Sequence, residues 1–158
     1  MNHDKWLEQA VLLSAEKMQA GCGGPFGAVI VHSQDETLLA QGWNCVTSCN
    51  DPTAHAEMTA IRRATEKLGQ FHLQGYTLFS SCEPCPMCLA AIYWAHLDAV
   101  FFANTRQQAA AIGFDDATIY EELALPLAQR QKPMVHRPSE HALAVFQQWQ
   151  TLENKKPY

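Results

Sequence analysis

The chain has 158 residues, 47% of them hydrophobic and 17% charged, and its 11 Lys plus Arg against 16 Asp plus Glu give a formal charge of −5. That length holds one domain with a core of its own. The composition excludes intrinsic disorder, collagen-like repeats and a surface built wholly for nucleic acid, although a local basic patch is compatible with it. No stretch approaches the ~18 apolar residues of a membrane span, and Met1-Asn2-His3-Asp4-Lys5 is not followed by a long apolar run. No membrane association is expected, and the expected location is the cytoplasm, where thiols stay reduced. In that setting the six cysteines, Cys22, Cys45, Cys49, Cys82, Cys85 and Cys88, point to metal or catalysis rather than to disulfides.

The segment from about Asn2 to Ala20 predicts a helix with Trp6, Ala10, Leu13 and Met18 near one face, ended by Gly21. Residues 21–27 form a glycine-rich loop. Ala28–His32 and Thr37–Trp43 read as a strand hairpin, and Asn44–Pro52 as a polar loop. A helix is expected over about Thr53–Leu68, with Thr53 as its N-cap and Gly69 closing it. Thr77–Ser81 is a strand leading into a helix over about Cys85–His96, with Pro84 at its start. Ala99–Ala103 is a strand, and Gln107–Leu123 is helical in pieces, broken near Gly113. After a hinge expected at Gln129–Pro133, Pro133–Arg137 reads as a final edge strand. Ser139 then caps a last helix through about Glu153, with Ala142, Val145, Phe146 and Trp149 as its apolar face. The order αββαβαβαβα implies an α/β fold with a sheet between helical layers.

Two segments carry chemistry: His55-Ala56-Glu57 and Pro84-Cys85-Pro86-Met87-Cys88. One imidazole and two thiolates suit zinc, which in catalytic sites takes three protein ligands and leaves the fourth position to water. Cys85 and Cys88, three apart at a helix start, can face one point, and helix N-terminal amides favour their thiolate form. Glu57 lies two residues from His55, and both reach one site only in the first turn of a helix. There a carboxylate can take a proton from water and pass it to a leaving group. Blander readings compete. Cys82, Cys85 and Cys88 resemble part of an iron–sulfur run whose fourth cysteine is missing. A closed structural zinc site with Cys82 as fourth ligand, or a redox dithiol, is also compatible with the spacing. The ordered pair H-x-E and P-C-x-x-C is, however, the signature of zinc deaminases.

On these residues the chain resembles the cytidine-deaminase-like superfamily over essentially its whole length, and within it the bacterial guanine deaminases. Residues 23–31, 50–57 and 81–88 are shared widely in the superfamily. Ala91–Ala95, Gly113-Phe114-Asp115-Asp116 and the terminal Asn154–Tyr158 narrow the resemblance. It implies a three-layer αβα sandwich around a five-stranded mixed sheet. His55, Cys85 and Cys88 become ligands of one zinc ion and Glu57 the proton shuttle. Asn44, Asp116 and Tyr158 become contacts to the base, with Phe26, Trp94 and Phe114 walling the pocket. The implied reaction is hydrolytic deamination of guanine at C2, giving xanthine and ammonia, as in purine catabolism or salvage. The resemblance also implies a homodimer that exchanges a C-terminal segment, about 131–158, so that Tyr158 closes the partner's site.

Each of these contacts has a plainer alternative. Asn44 can cap a turn, and Asp116 can cap the next helix while Asp115 binds. Trp94 can be core, and a terminal Tyr158 can be a frayed tail. Among functions, a tRNA adenosine deaminase shares the zinc residues but calls for basic surface. Here that is limited to Arg62-Arg63, Arg130–Lys132 and Lys155-Lys156, so no stable nucleic-acid partner is expected. A deaminase of another small ring, such as cytosine or an amino-triazine, and a non-catalytic zinc module are the other readings.

Overall fold

The computed structural model describes residues 1–158. Asn2 Oδ1 accepts from Lys5 N at 3.1 Å and so caps α1 (His3–Gln19). This helix buries Trp6, Ala10 and Leu13, while Met18, expected on the same face, is exposed. β1 (Gly27–His32) and β2 (Leu38–Trp43) form the expected antiparallel hairpin. β3 (Tyr76–Cys82) runs antiparallel to β1 on its other side, and β4 (Ala99–Asn104) runs parallel to β3. The sheet order is β2-β1-β3-β4.

The expected fifth strand is absent, so the mixed sheet has four strands rather than five. Residues 133–139 have no regular structure. Pro133 and Pro138 bring no N–H donor to a ladder, and the residues between them gain no partner strand.

The polar loop after β2 holds a short helix, α2 (Val46–Cys49). α3 spans Ala56–Leu68 and closes on Gly69 in the left-handed region. Its N-cap is His55, not Thr53. Asp51 Oδ1 holds Thr53 through the backbone N–H at 2.8 Å and the hydroxyl at 2.7 Å, in a turn that precedes the helix. α4 spans Pro86–Trp94 with Cys85 as N-cap, so Pro86 rather than Pro84 takes the first helical position. α5 (Arg106–Ala111) opens with a capping box between Thr105 and Gln108.

Strand alternation sorts the core into two sets. Val29, Val31 and Phe79 meet α1 through Trp6, Ala10 and Leu13. Ala28, Ile30 and Leu78 meet α3 and α4 through Ala56, Ala60, Ile61, Ala64 and Ile92. The sheet is therefore the middle of three layers. α3 seats directly on β2 at Gly42, where a Cβ would collide with the carbonyl of Ala56 and the amide of Ala60. Farther along α3, Arg63 Nη1 donates to Gln41 O at 2.9 Å and Lys67 Nζ to Leu39 O at 3.0 Å, covering carbonyls of edge strand β2. The Arg63 guanidinium also lies 3.8 Å from the centre of the Trp43 ring.

Residues Ala117–Tyr158 make a second compact unit. α6 (Ala117–Ala124) ends in carbonyls that accept from Arg130: Nε to Leu125 O at 3.2 Å and Nη2 to Leu123 O at 3.4 Å. A 3₁₀ turn covers Leu127–Gln129, and α7 (Glu140–Thr151) is capped by Ser139 Oγ, which accepts from Ala142 N at 3.2 Å. No residue of this unit is buried, and the predicted apolar face of α7 leaves Val145, Phe146 and Trp149 exposed.

Gly42→Ala is expected to cost about 1–3 kcal/mol by forcing α3 off β2. Thermal unfolding of the variant beside the parent checks this, and an unchanged midpoint would show that α3 shifts without strain.

Candidate active site

Two helix starts define the site. His55 and Cys85 are both N-caps in extended backbone, at φ −67°, ψ 161° and φ −65°, ψ 168°. Their carbonyls begin the helical ladders, accepting from Thr59 N at 2.9 Å and Leu89 N at 2.8 Å. Neither side chain caps its own helix. Instead both turn toward one point. Cys85 Sγ lies 3.5 Å from His55 Nδ1, and Cys88 Sγ, one turn into α4, lies 3.6 Å from the same nitrogen. The turn before α4 is anchored to the next β–α junction: Glu83 N donates to Asn104 O at 2.8 Å, and Glu83 Oε2 accepts from Arg106 N at 2.9 Å.

The three donor atoms lie within 4.8 Å of one another. Zinc bonds of about 2.0–2.1 Å to nitrogen and about 2.3 Å to sulfur, at a tetrahedral angle, put a nitrogen about 3.5 Å from each sulfur. The observed separations match that figure, so the donor set fits zinc in chemistry and in spacing. Cys82, weighed as a fourth ligand, is not in the group, and its Sγ points to Thr105 O at 3.9 Å. All six cysteines are free thiols.

The electrostatics of the group are coupled. The Cys88 thiol, followed by His55, stabilises the Cys85 thiolate and holds its pKa down at about 4. The shared hydrogen bond with Cys85 and burial push Cys88 up, and Cys85 raises His55. Burial drives Cys82 up to about 11, with Glu57 adding to it.

Glu57, in the first turn of α3, is buried. Burial, more than any neighbour, raises its pKa. Its Oε2 lies 3.4 Å from Cys88 Sγ, and its Oε1 accepts from Ser80 Oγ at 3.2 Å. The carboxyl thus stands beside the metal ligands without belonging to them. Sequence reading passed over Ser80. Its one signal was a hydroxyl in a strand position that otherwise reads as buried.

The expected base contacts are placed unequally. Asn44 is buried, and its Oδ1 accepts from Gly24 N and Val46 N, each at 3.2 Å. It does cap a turn, but with the oxygen alone, which leaves its amide hydrogens as the remaining donors. Gly23 packs so closely here that a Cβ would strike the Asn44 carbonyl and side chain. Phe26 and Phe114 meet edge to face with centroids 4.8 Å apart, over Gly24. Asp116 is half-buried where Asp115 is exposed, and burial followed by the Cys85 thiolate raises the Asp116 carboxyl. Trp94, 63% exposed, ends α4, about 9 Å along the helix axis from Cys88. Tyr158 is exposed in the second unit.

Residues 1–104 match the family described as the cytidine and deoxycytidylate deaminase zinc-binding region. The chain belongs to this family. Zinc is therefore its cofactor, and His55, Cys85 and Cys88 are the residues that fit it. Within the family, the chain is 51% identical to the guanine deaminase of Bacillus subtilis over 158 residues, all of both chains. The solved structure of that enzyme superposes with a TM-score of 0.95, covering 100% of this chain and 99% of the other. The solved guanine deaminase of Nitrosomonas europaea is 31% identical with a TM-score of 0.68, over 71% of this chain and 64% of that one. A tRNA-specific adenosine deaminase of Haemophilus influenzae is 33% identical over 118 residues, 72% of this chain and 68% of that one.

Both Cys88 and His55 have raised pKa values, so without metal they hold protons that zinc must displace. Zinc affinity is therefore expected to rise with pH and to fall as the solution is acidified. Competition against a chromophoric chelator at pH 6 and pH 8 checks the sign.

Proposed function

We propose that this chain hydrolyses guanine to xanthine and ammonia, in purine catabolism or salvage. The observation that carries the reading is the match to a guanine deaminase along the whole chain, the 117–158 unit included. The matched tRNA adenosine deaminase shares a shorter stretch. A formal charge of −5 also favours a small free base over a polyanion as partner.

The chemistry a bound zinc ion supplies is activation of a water molecule near neutral pH. The remaining steps belong to the protein. Glu57 takes a proton from the attacking water and delivers it to N3 of the base as the C2–O bond forms; it then carries the remaining proton of the new C2 hydroxyl to the amine, which leaves as ammonia as the C2–N bond breaks and C2=O forms. Its raised pKa suits a group that must both accept and return that proton. The Asp116 carboxylate accepts from N1–H of guanine. Adenine has a bare N1 acceptor there and would leave the carboxylate unpaired, at a cost of about 1–3 kcal/mol or more. The Asn44 amide hydrogens face a base acceptor, and Phe26 and Phe114 form the pocket wall.

The active form is proposed to be a dimer that exchanges its C-terminal segment. What supports this is the second unit itself: none of the residues of Ala117–Tyr158 is buried, so the unit has no core of its own. Leu143, Val145, Phe146, Trp149 and Leu152 are left for another surface to cover. In such a dimer Tyr158 closes the partner's pocket. Trp94, exposed at the far end of α4, can wall a pocket where a second copy lies against that helix. No helix is long and apolar enough to cross a membrane. Six free thiols fit the reducing cytoplasm.

Ammonia release from guanine, adenine, cytosine, cytidine and a tRNA anticodon stem tests the reading. Guanine is expected to react, with activity lost on chelation and lowered roughly 10²–10⁴-fold by Glu57→Gln. Turnover confined to the RNA would overturn it. Asp116→Ala is expected to lower kcat/KM for guanine roughly 10- to 100-fold, and a fully active variant would remove Asp116 from the site.

A further inference from the structure

We propose that Ser80 is a positioning residue for Glu57: its hydroxyl pins one carboxylate oxygen from the sheet, so that the other is held toward the zinc ligands. The proposal rests on Glu57 being the proton-transfer group. Ser80 is 1% exposed and sits on β3. It pairs across the β1–β3 ladder with Ala28, on the face that α3 and α4 cover. Leu78, Ile30 and Ala28 make that face apolar, and a hydroxyl buried there without a partner would be costly. Its partners settle its orientation. Cys82 N donates to Ser80 Oγ at 3.4 Å, which occupies a lone pair, and Ser80 Oγ donates to Glu57 Oε1 at 3.2 Å.

The two oxygens of Glu57 are thereby made unequal. Oε1 is tied to a strand, the more rigid partner. Oε2 lies 3.4 Å from the sulfur of Cys88. A glutamate side chain has three rotatable bonds, and one contact on the metal side leaves the plane of its carboxylate free to turn. The second tie, on the other oxygen, fixes that plane before substrate arrives. Proton transfer depends steeply on such alignment.

The test uses zinc-loaded protein with guanine as substrate, comparing Ser80→Ala, Ser80→Thr, Ser80→Val, Glu57→Gln and the Ser80→Ala/Glu57→Gln double variant. Ser80→Ala is expected to lower kcat about 10- to 100-fold, with KM and zinc content within about twofold of the parent. Thr and Val have the same shape, so the Thr variant should exceed the Val variant in kcat by a similar factor even if the added methyl crowds the strand. With Glu57 already changed to Gln, Ser80→Ala should alter the residual rate by less than about twofold, because Ser80 acts through the carboxylate. Parental kcat in Ser80→Ala, or equal rates for the Thr and Val variants, would overturn the proposal. So would an equal loss in both Glu57 backgrounds. A fully active Glu57→Gln enzyme would instead remove the proton-transfer reading beneath it, and the proposal with it.

Discussion

The convergence of two helix N-termini on one point is the constraint from which the rest of the site follows. α3 and α4 lie in the same layer of the sandwich, and their caps, His55 and Cys85, turn away from their own helices to meet 3.5 Å apart. That approach is possible because the sheet beneath is lined with small residues. Gly42 lets the first turn of α3 rest on β2 backbone, and Ala28 and Ser80 sit side by side across β1 and β3. A metal site usually needs one framework to hold ligands and another to set their charge. Here the helix ends do both, since their orphan amides favour anions where two thiols must ionise.

Glu57 is the second element that depends on this arrangement. Burying a carboxyl is expensive, and the structure tolerates it by giving each oxygen a neighbour, Ser80 on one side and Cys88 on the other. Low polarity around the group raises its proton affinity and keeps bulk water from competing for the proton. The three residues that fit the metal and the carboxyl buried beside them are thus two consequences of one packing decision: how closely α3 sits on the sheet.

Much of this was legible in the amino-acid sequence, for local reasons. Helix starts, their closing glycines and the apolar alternation of β1 and β3 are written within a few residues, so the elements that carry His55, Glu57, Cys85 and Cys88 are legible there; the spacing permits the four to share one site without requiring it, and what joins them in the sequence is the zinc-deaminase signature. The errors were of two kinds. Cap identity was misread at α3, because Thr53 carries the better capping side chain, yet Asp51 binds it in a preceding turn and passes the cap to His55. The fifth strand failed because pairing is not local. Residues 133–137 have strand-like composition, but the sheet that would receive them ends at β4. Ser80 was invisible for a related reason, since its partner lies 23 positions away and only the fold joins them. α7 lies where the sequence places a helix, yet periodicity defines an apolar face without saying what covers it.

The side chains on β2 bear on how copies of this chain can meet. A sheet edge is ordinarily an invitation to add another strand, from any chain with free backbone groups. Arg63 and Lys67 occupy the carbonyls such a strand would use, and Arg63 is itself stacked against Trp43. A strand adding at that border would first have to break both hydrogen bonds and lift the Arg63 guanidinium from the Trp43 ring, so strand addition at β2 is disfavoured.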